Sequence, residues 1–144
     1  MRFMVIVPAS EQSEAGILPT AEQFAEMGKF NEEMAKAGIL LAADGLQPSS
    51  KGARIKFSGT KRTVIDGPFT ESKELVAGFW IIQTKSKEEA IEWIKRAPLF
   101  DGGVEIEIRQ IFEATDFDDE VAADIQKREG RLGEKMAENA RRSP

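Results

Sequence analysis

Neither cysteine nor histidine occurs among the 144 residues of this chain. Without cysteine there are no disulfides and no thiolate nucleophile, and without either residue the usual zinc ligand sets are excluded. The missing imidazole also removes the usual general base at neutral pH, so acid–base chemistry must fall to Asp, Glu or Lys. Long apolar runs are lacking as well. Phe3 to Val7 is closed by Pro8, and Ile39 to Ala43 is no longer, so neither is long enough for a secretory signal core or a membrane span. A cytoplasmic location is the expectation. Basic residues do not predominate: 20 Lys and Arg stand against 25 Asp and Glu, a net charge of −5. That balance argues against a nucleic-acid footprint. No cofactor and no metal is implied, and Asp118-Asp119-Glu120 reads as a helix start.

What is present suits one domain with an appendage: 41% hydrophobic and 31% charged residues are ordinary for a globular chain. Phe3 to Val7 is continuously apolar over strand length and predicts a strand covered on both faces. Pro8 to Pro19 reads as loop. Thr20 with Gln23 forms a capping box, and Phe24, Met27, Asn31 and Met34 mark one face of a helix that ends near Ala37 before Gly38. Ile39 to Ala43 is a second strand, broken by Asp44-Gly45. Ala53 to Phe57 alternates, turns at Ser58 to Lys61 and resumes through Arg62 to Asp66, a hairpin pattern. Phe79 to Gln83 is again continuously apolar. Ser86 with Glu89 reads as a second capping box opening a helix from Lys87 to Arg96, and Val104 to Phe112 alternates as a closing strand.

In order this is β-α-β, a hairpin, then β-α-β, a split ferredoxin-like α+β plan with both helices on one face of an antiparallel sheet. The doubly apolar strands leave the other face in need of cover, and a second copy of the sheet is the economical answer. A homodimer is therefore expected from the residues alone. Residues 1–114 are read as this domain and 115–144 as a charged helical extension. In the extension, acids crowd one end and bases the other, as a helix macrodipole favours. Val121, Ile125, Leu132 and Met136 make a narrow apolar stripe along it.

Period two places Val104, Ile106 and Ile108 against the helices and Glu105, Glu107 and Arg109 on the opposite face. The same alternation groups Asp66 with Arg62 and Val64. Between the hairpin and the fifth strand lies the run Asp66-Gly67-Pro68-Phe69-Thr70-Glu71-Ser72-Lys73-Glu74, with three carboxylates, Asp66, Glu71 and Glu74, and a lysine held between rigid elements, where functional groups are best placed. This string resembles the YCII-related (DGPF) family. The resemblance extends through Asp44-Gly45-Leu46-Gln47-Pro48, Gly78-Phe79, Ala97-Pro98 and Glu105 to Arg109, covering about residues 1 to 115. It implies a dimeric α+β barrel, relatives among muconolactone-isomerase-like enzymes, and for some members an association with extracytoplasmic-function sigma factors. Such barrels resemble one another in pairing a His with an Asp; this chain has no His, which puts that dyad out of reach.

Each of these residues also has a plainer explanation. Asp66 can stabilise its turn through backbone N–H groups, Glu71, Lys73 and Glu74 can be surface ion pairs, and Glu107 with Arg109 can be an internal salt bridge. Gln47 can donate to a ligand, although Gly45 and Pro48 explain the turn without one. The functional reading is a protein that binds a small polar molecule, with a lyase or isomerase proton transfer as the enzymatic form. Asp66 and Glu71 are its candidate catalytic bases, and Lys73, Glu74, Glu107 and Arg109 its candidate ligand-binding residues. The rival is a noncatalytic sensor or interaction module linked to a sigma factor, using the C-terminal helix as its contact surface.

Overall fold

The computed structural model describes residues 1–99 and 103–142, which fall into two compact units, Met1–Gln110 and Ile111–Pro144. The first unit runs β1 (Arg2–Pro8), α1 (Glu11–Glu14), α2 (Ala21–Lys36), β2 (Leu40–Gly45), β3 (Ala53–Ser58), β4 (Lys61–Asp66), β5 (Val76–Gln83), α3 (Lys87–Ile94) and β6 (Glu107–Gln110). A four-stranded sheet has the order β2-β5-β1-β6 with every neighbouring pair antiparallel, the ferredoxin-like arrangement. The hairpin β3-β4 forms a separate two-stranded sheet.

Alternation along β1 and β5 sorts the core. Phe3, Val5, Trp80 and Ile82 are buried on one face and join Phe30 and Met34 of α2, Ile39, and Ala90 and Ile94 of α3. Met4, Ile6, Phe79 and Ile81, on the opposite face, are only half-buried. Phe30 meets Trp80 edge-on at 5.9 Å between ring centroids, and the Trp80 indole donates to Asn31 Oδ1 at 2.8 Å. A buried indole thus has both its apolar body and its N–H satisfied. Burying Ile82 removes roughly 1.5–3 kcal/mol of apolar side chain from water.

Helix ends follow the sequence closely. Thr20 Oγ1 accepts from Gln23 N at 3.2 Å and Gln23 Oε1 accepts from Thr20 N at 3.0 Å, a reciprocal box. At α3 the box is incomplete: Ser86 Oγ accepts from Glu89 N, but the Glu89 carboxylate reaches Lys85 N instead of Ser86 N. The buried face of α2 also differs from expectation. Phe30 and Met34 are buried, whereas Phe24 is 59% exposed. The segment from Pro8 to Pro19, expected as loop, contains α1. The closing strand is shorter than expected, with Val104 to Ile106 before it and Ile111 and Phe112 after it, yet Ile106 and Ile108 do pack against the core. The hairpin turn is Gly59-Thr60 with φ +58 at Gly59, and a positive φ at the first of two loop residues is what a type II′ turn demands.

The second unit consists of a 3₁₀ turn, Ala114–Asp116, and α4 (Asp119–Arg142). Phe112 and Phe117 stack at 5.3 Å beside the turn. Asp118 caps the helix by accepting from Val121 N at 3.0 Å. Arg128–Asp124 and Arg142–Glu138 are exposed i,i+4 pairs at 2.8 Å, worth a few tenths of a kcal/mol each. Among the described residues no helix is long and apolar enough to cross a membrane.

The division of the sheet faces has a direct test. Ile82→Ala should lower the unfolding free energy by about 2–5 kcal/mol, as for a fully buried aliphatic residue. Denaturant melts showing a loss below about 1 kcal/mol would place Ile82 outside the core.

Candidate functional site

The connection after β1 carries a four-residue helix whose N-cap is built from two serines. Ser10 Oγ accepts from Ser13 N at 3.1 Å and Ser13 Oγ accepts from Ser10 N at 2.8 Å, so Ser stands at the N3 position where Glu or Gln usually serves. The box fixes the last residue of α1, Glu14. Its carboxylate accepts two hydrogen bonds from Ser49, one from the backbone N–H at 3.0 Å and one from the hydroxyl. Ser49 Oγ in turn accepts from the backbone N–H of Phe69 at 3.0 Å. One serine therefore joins three segments that are remote in sequence: the β1–α2 connection, the turn Ser49–Lys51 and the Asp66-Gly67-Pro68-Phe69 loop.

The glycine in that loop has a steric cause. A Cβ placed on Gly67 would lie 1.8 Å from the carbonyl oxygen of Ser49, which no side chain can survive without backbone movement. Gly67 N donates to Gly52 O at 3.0 Å, and the Gly67-Pro68 bond is cis. Beside it the Arg54 guanidinium lies 3.9 Å from the centroid of the Phe69 ring. A cation held over an aromatic face is stabilised by the ring quadrupole.

Around Glu14 the surface is concave. A cleft of about 980 Å³ has apolar walls from Ile17, Leu18, Phe24, Met27, Leu46 and Leu99, while Ser10, Ser13, Glu14, Gln47 and Lys51 supply polar groups. A smaller hollow of about 420 Å³ adds Ser49, Arg54 and Phe69 and shares Glu14, Leu46, Gln47, Pro48 and Lys51 with the larger one. Backbone bonds hold this region to the sheet: Leu46 N donates to Ala77 O at 2.7 Å and Ala9 N to Leu75 O at 2.8 Å. Apolar walls with a few converging polar groups are the usual form of a small-molecule site.

The residues singled out from sequence are placed as follows. Asp66 is exposed at the end of β4, opposite Ala53, on the two-stranded sheet. Glu71 and Glu74 are exposed, Glu71 just before the turn Ser72–Glu74 and Glu74 its last residue, with Glu74 N donating to Glu71 O at 3.0 Å. The Lys73 side chain lies outside the described residues. Glu107 and Arg109 are exposed on β6, in register with Ile6 and Met4 of the open sheet face. Glu107 and Arg109 thus share a face as the alternation requires, but Asp66 stands on the other sheet. None of Asp66, Glu71, Glu74, Glu107 and Arg109 lines either hollow. Gln47 does line both, whereas Glu14, Lys51 and Arg54 were not singled out. Among the described residues, no group of three or more carboxylates is placed to hold a metal ion.

The YCII-related domain matches residues 1–115. The chain belongs to this family. A curated relative, the uncharacterized protein R00369 of Rhizobium meliloti (strain 1021), is 30% identical over 70 residues, 49% of this chain and 56% of the relative. The matched stretch thus spans about half the length of that relative. Among solved structures the chain is similar, at 13% identity and a TM-score of 0.44, to 5-chloro-2-hydroxyhydroquinone dehydrochlorinase (TftG) from Burkholderia phenoliruptrix AC1100 in complex with 2,5-dihydroxybenzoquinone. That similarity covers 82% of this chain and 100% of the other.

The seating of the Gly67-Pro68 loop is testable by two substitutions. Gly67→Ala should lower stability by about 2 kcal/mol or more, because relief of the clash requires backbone displacement. Ser49→Ala leaves the Phe69 N–H without its acceptor and the Glu14 carboxylate with only the backbone N–H of residue 49, and should lower stability by about 1–3 kcal/mol. Unchanged melting of both variants would show that the loop does not rest on this turn.

Proposed function

We propose that this protein binds a small organic anion with an apolar body in the cleft walled by α1, the start of α2 and the β2–β3 connection. The observation that carries this reading is the apolar-walled cleft of about 980 Å³ whose lining includes Glu14, Gln47 and Lys51. Its apolar walls suit a hydrophobic body, and Lys51 and Arg54 suit an acidic head. Glu14 is the opposing charge, and both its oxygens already accept from Ser49. The carboxylate is therefore committed first to holding the architecture, and the cation lining the cleft beside it is Lys51, with Arg54 in the adjoining hollow.

A proton transfer at this cleft falls to Glu14 or Lys51, since the chain has no histidine. In this proposal Glu14 is the acid–base group nearest the ligand. Asp66 and Glu71, with Lys73 and Glu74, form the competing site at the loop beyond the hairpin. Geometry favours the cleft because a general base must reach its substrate within hydrogen-bonding distance. The two placements separate experimentally. In a thermal-shift screen with small organic acids, a ligand at a hundred times its dissociation constant adds about 2.7 kcal/mol of stability. Lys51→Ala should weaken that ligand about tenfold, or 1.4 kcal/mol, and Asp66→Asn should leave its affinity unchanged. The reverse pattern moves the site to the loop and overturns the cleft reading.

A second copy of the chain belongs to the same reading. Met4, Ile6, Phe79 and Ile81 form an apolar row on the open face of the sheet, bordered by Glu107 and Arg109 on β6 and by Asp44 on β2. Apolar rows rimmed by charge mark association surfaces. Two such sheets face to face make a barrel and bury on the order of 2,000 Å². Sedimentation should give a dimer, and Ile81→Glu should dissociate it; a folded wild-type monomer at micromolar concentration would contradict the pairing.

A further inference from the structure

The C-terminal helix presents an apolar stripe that the rest of its own unit does not cover. Val121, Leu132 and Met136 are 41%, 58% and 65% exposed, and Ile125 between them is half-buried. Their spacing keeps all four on one side of α4. The stripe has an internal symmetry. Val121 and Met136 lie equally far from the midpoint between Arg128 and Glu129, and so do Ile125 and Leu132. Turning a second copy of the helix end for end about that midpoint sets Val121 against Met136 and Ile125 against Leu132.

Charge follows the same symmetry. From Asp119 to Gly130 four acidic residues stand against two basic ones, and from Arg131 to Arg142 four basic stand against two acidic. An antiparallel partner therefore lays its basic half along the acidic half of the first copy. Beside the stripe, Asp124 comes level with the stretch of the partner that carries Arg131 and Lys135. A parallel partner would set like charges together, which is unfavourable. A helix whose two halves complement each other is matched by itself under a twofold axis.

We propose that α4 is a homotypic docking helix that pairs antiparallel with α4 of a second copy of this chain, with the twofold axis between Arg128 and Glu129. This contact does not depend on what the cleft binds. It commits the stripe to a second copy and not to an unrelated protein.

The chain lacks cysteine, so a single introduced thiol in the full-length protein reports its own position without background. Glu129→Cys lies beside the proposed axis and should form a disulfide-linked dimer in the majority of chains under mild oxidation. Val121→Cys should not, because in the antiparallel pair the two copies of that position are ~22 Å apart along the helices, well beyond disulfide reach. Combining Val121→Cys with Met136→Cys should restore cross-linking. Adding Leu132→Glu to Glu129→Cys, a surface change that leaves the helix itself intact, should abolish it. Failure of Glu129→Cys to cross-link overturns the proposal, and so does cross-linking of Val121→Cys alone at the level of Glu129→Cys, which signifies parallel or random contact.

Discussion

The arrangement around the cleft rests on one hydroxyl. Ser49 Oγ donates to Glu14 and accepts from Phe69 N, so a single atom fixes a helix that follows the first strand, the turn after the second and the loop after the fourth. Such a junction is sensitive in a way that apolar packing is not. Losing the hydroxyl strands the Phe69 N–H and takes one of two donors from the Glu14 carboxylate, and the penalty for an unsatisfied group exceeds the net value of the bond that satisfied it. Gly67 adds a steric condition at the same spot, since its backbone comes so close to the Ser49 carbonyl that no side chain fits between them. The Asp66-Gly67-Pro68-Phe69 loop is a bracket for the cleft before it is anything else.

The sheet contributes rigidity of a different kind. β1 and β5 lie at its centre, and their inward residues form the densest part of the core with α2 and α3. The cleft is built at the ends of these elements, on connections tied to the sheet by the Leu46–Ala77 and Ala9–Leu75 backbone bonds. Binding residues on loops held by a rigid scaffold are a common division of labour.

Much of the scaffold was legible from residue order. The box of Thr20 and Gln23, the hairpin around Gly59 and the alternation that puts Glu107 and Arg109 on one face all follow from local rules of period and capping. The site was legible only in part. The helix α1 was hidden because Ser13 fills the place that a capping box usually gives to Glu or Gln. The partnership of Glu14 with Ser49 joins residues 35 apart, and no periodicity encodes it. Asp66 was grouped correctly with Arg62 and Val64 on its hairpin face, but alternation within a strand does not say which sheet the strand joins. Its glycine neighbour read as a turn residue, whereas its reason is a close approach across the fold.

The proposed ligand site is the cleft beside Glu14 and not the exposed carboxylates of the loop and the last strand. A backbone amide NMR titration with the small organic acid that stabilises the protein most tests it directly. The largest shift changes are expected at Gln47, Lys51 and the amides of Leu18 and Met27. Changes confined to Asp66, Glu71, Glu107 and Arg109, with the cleft amides unmoved, would contradict it.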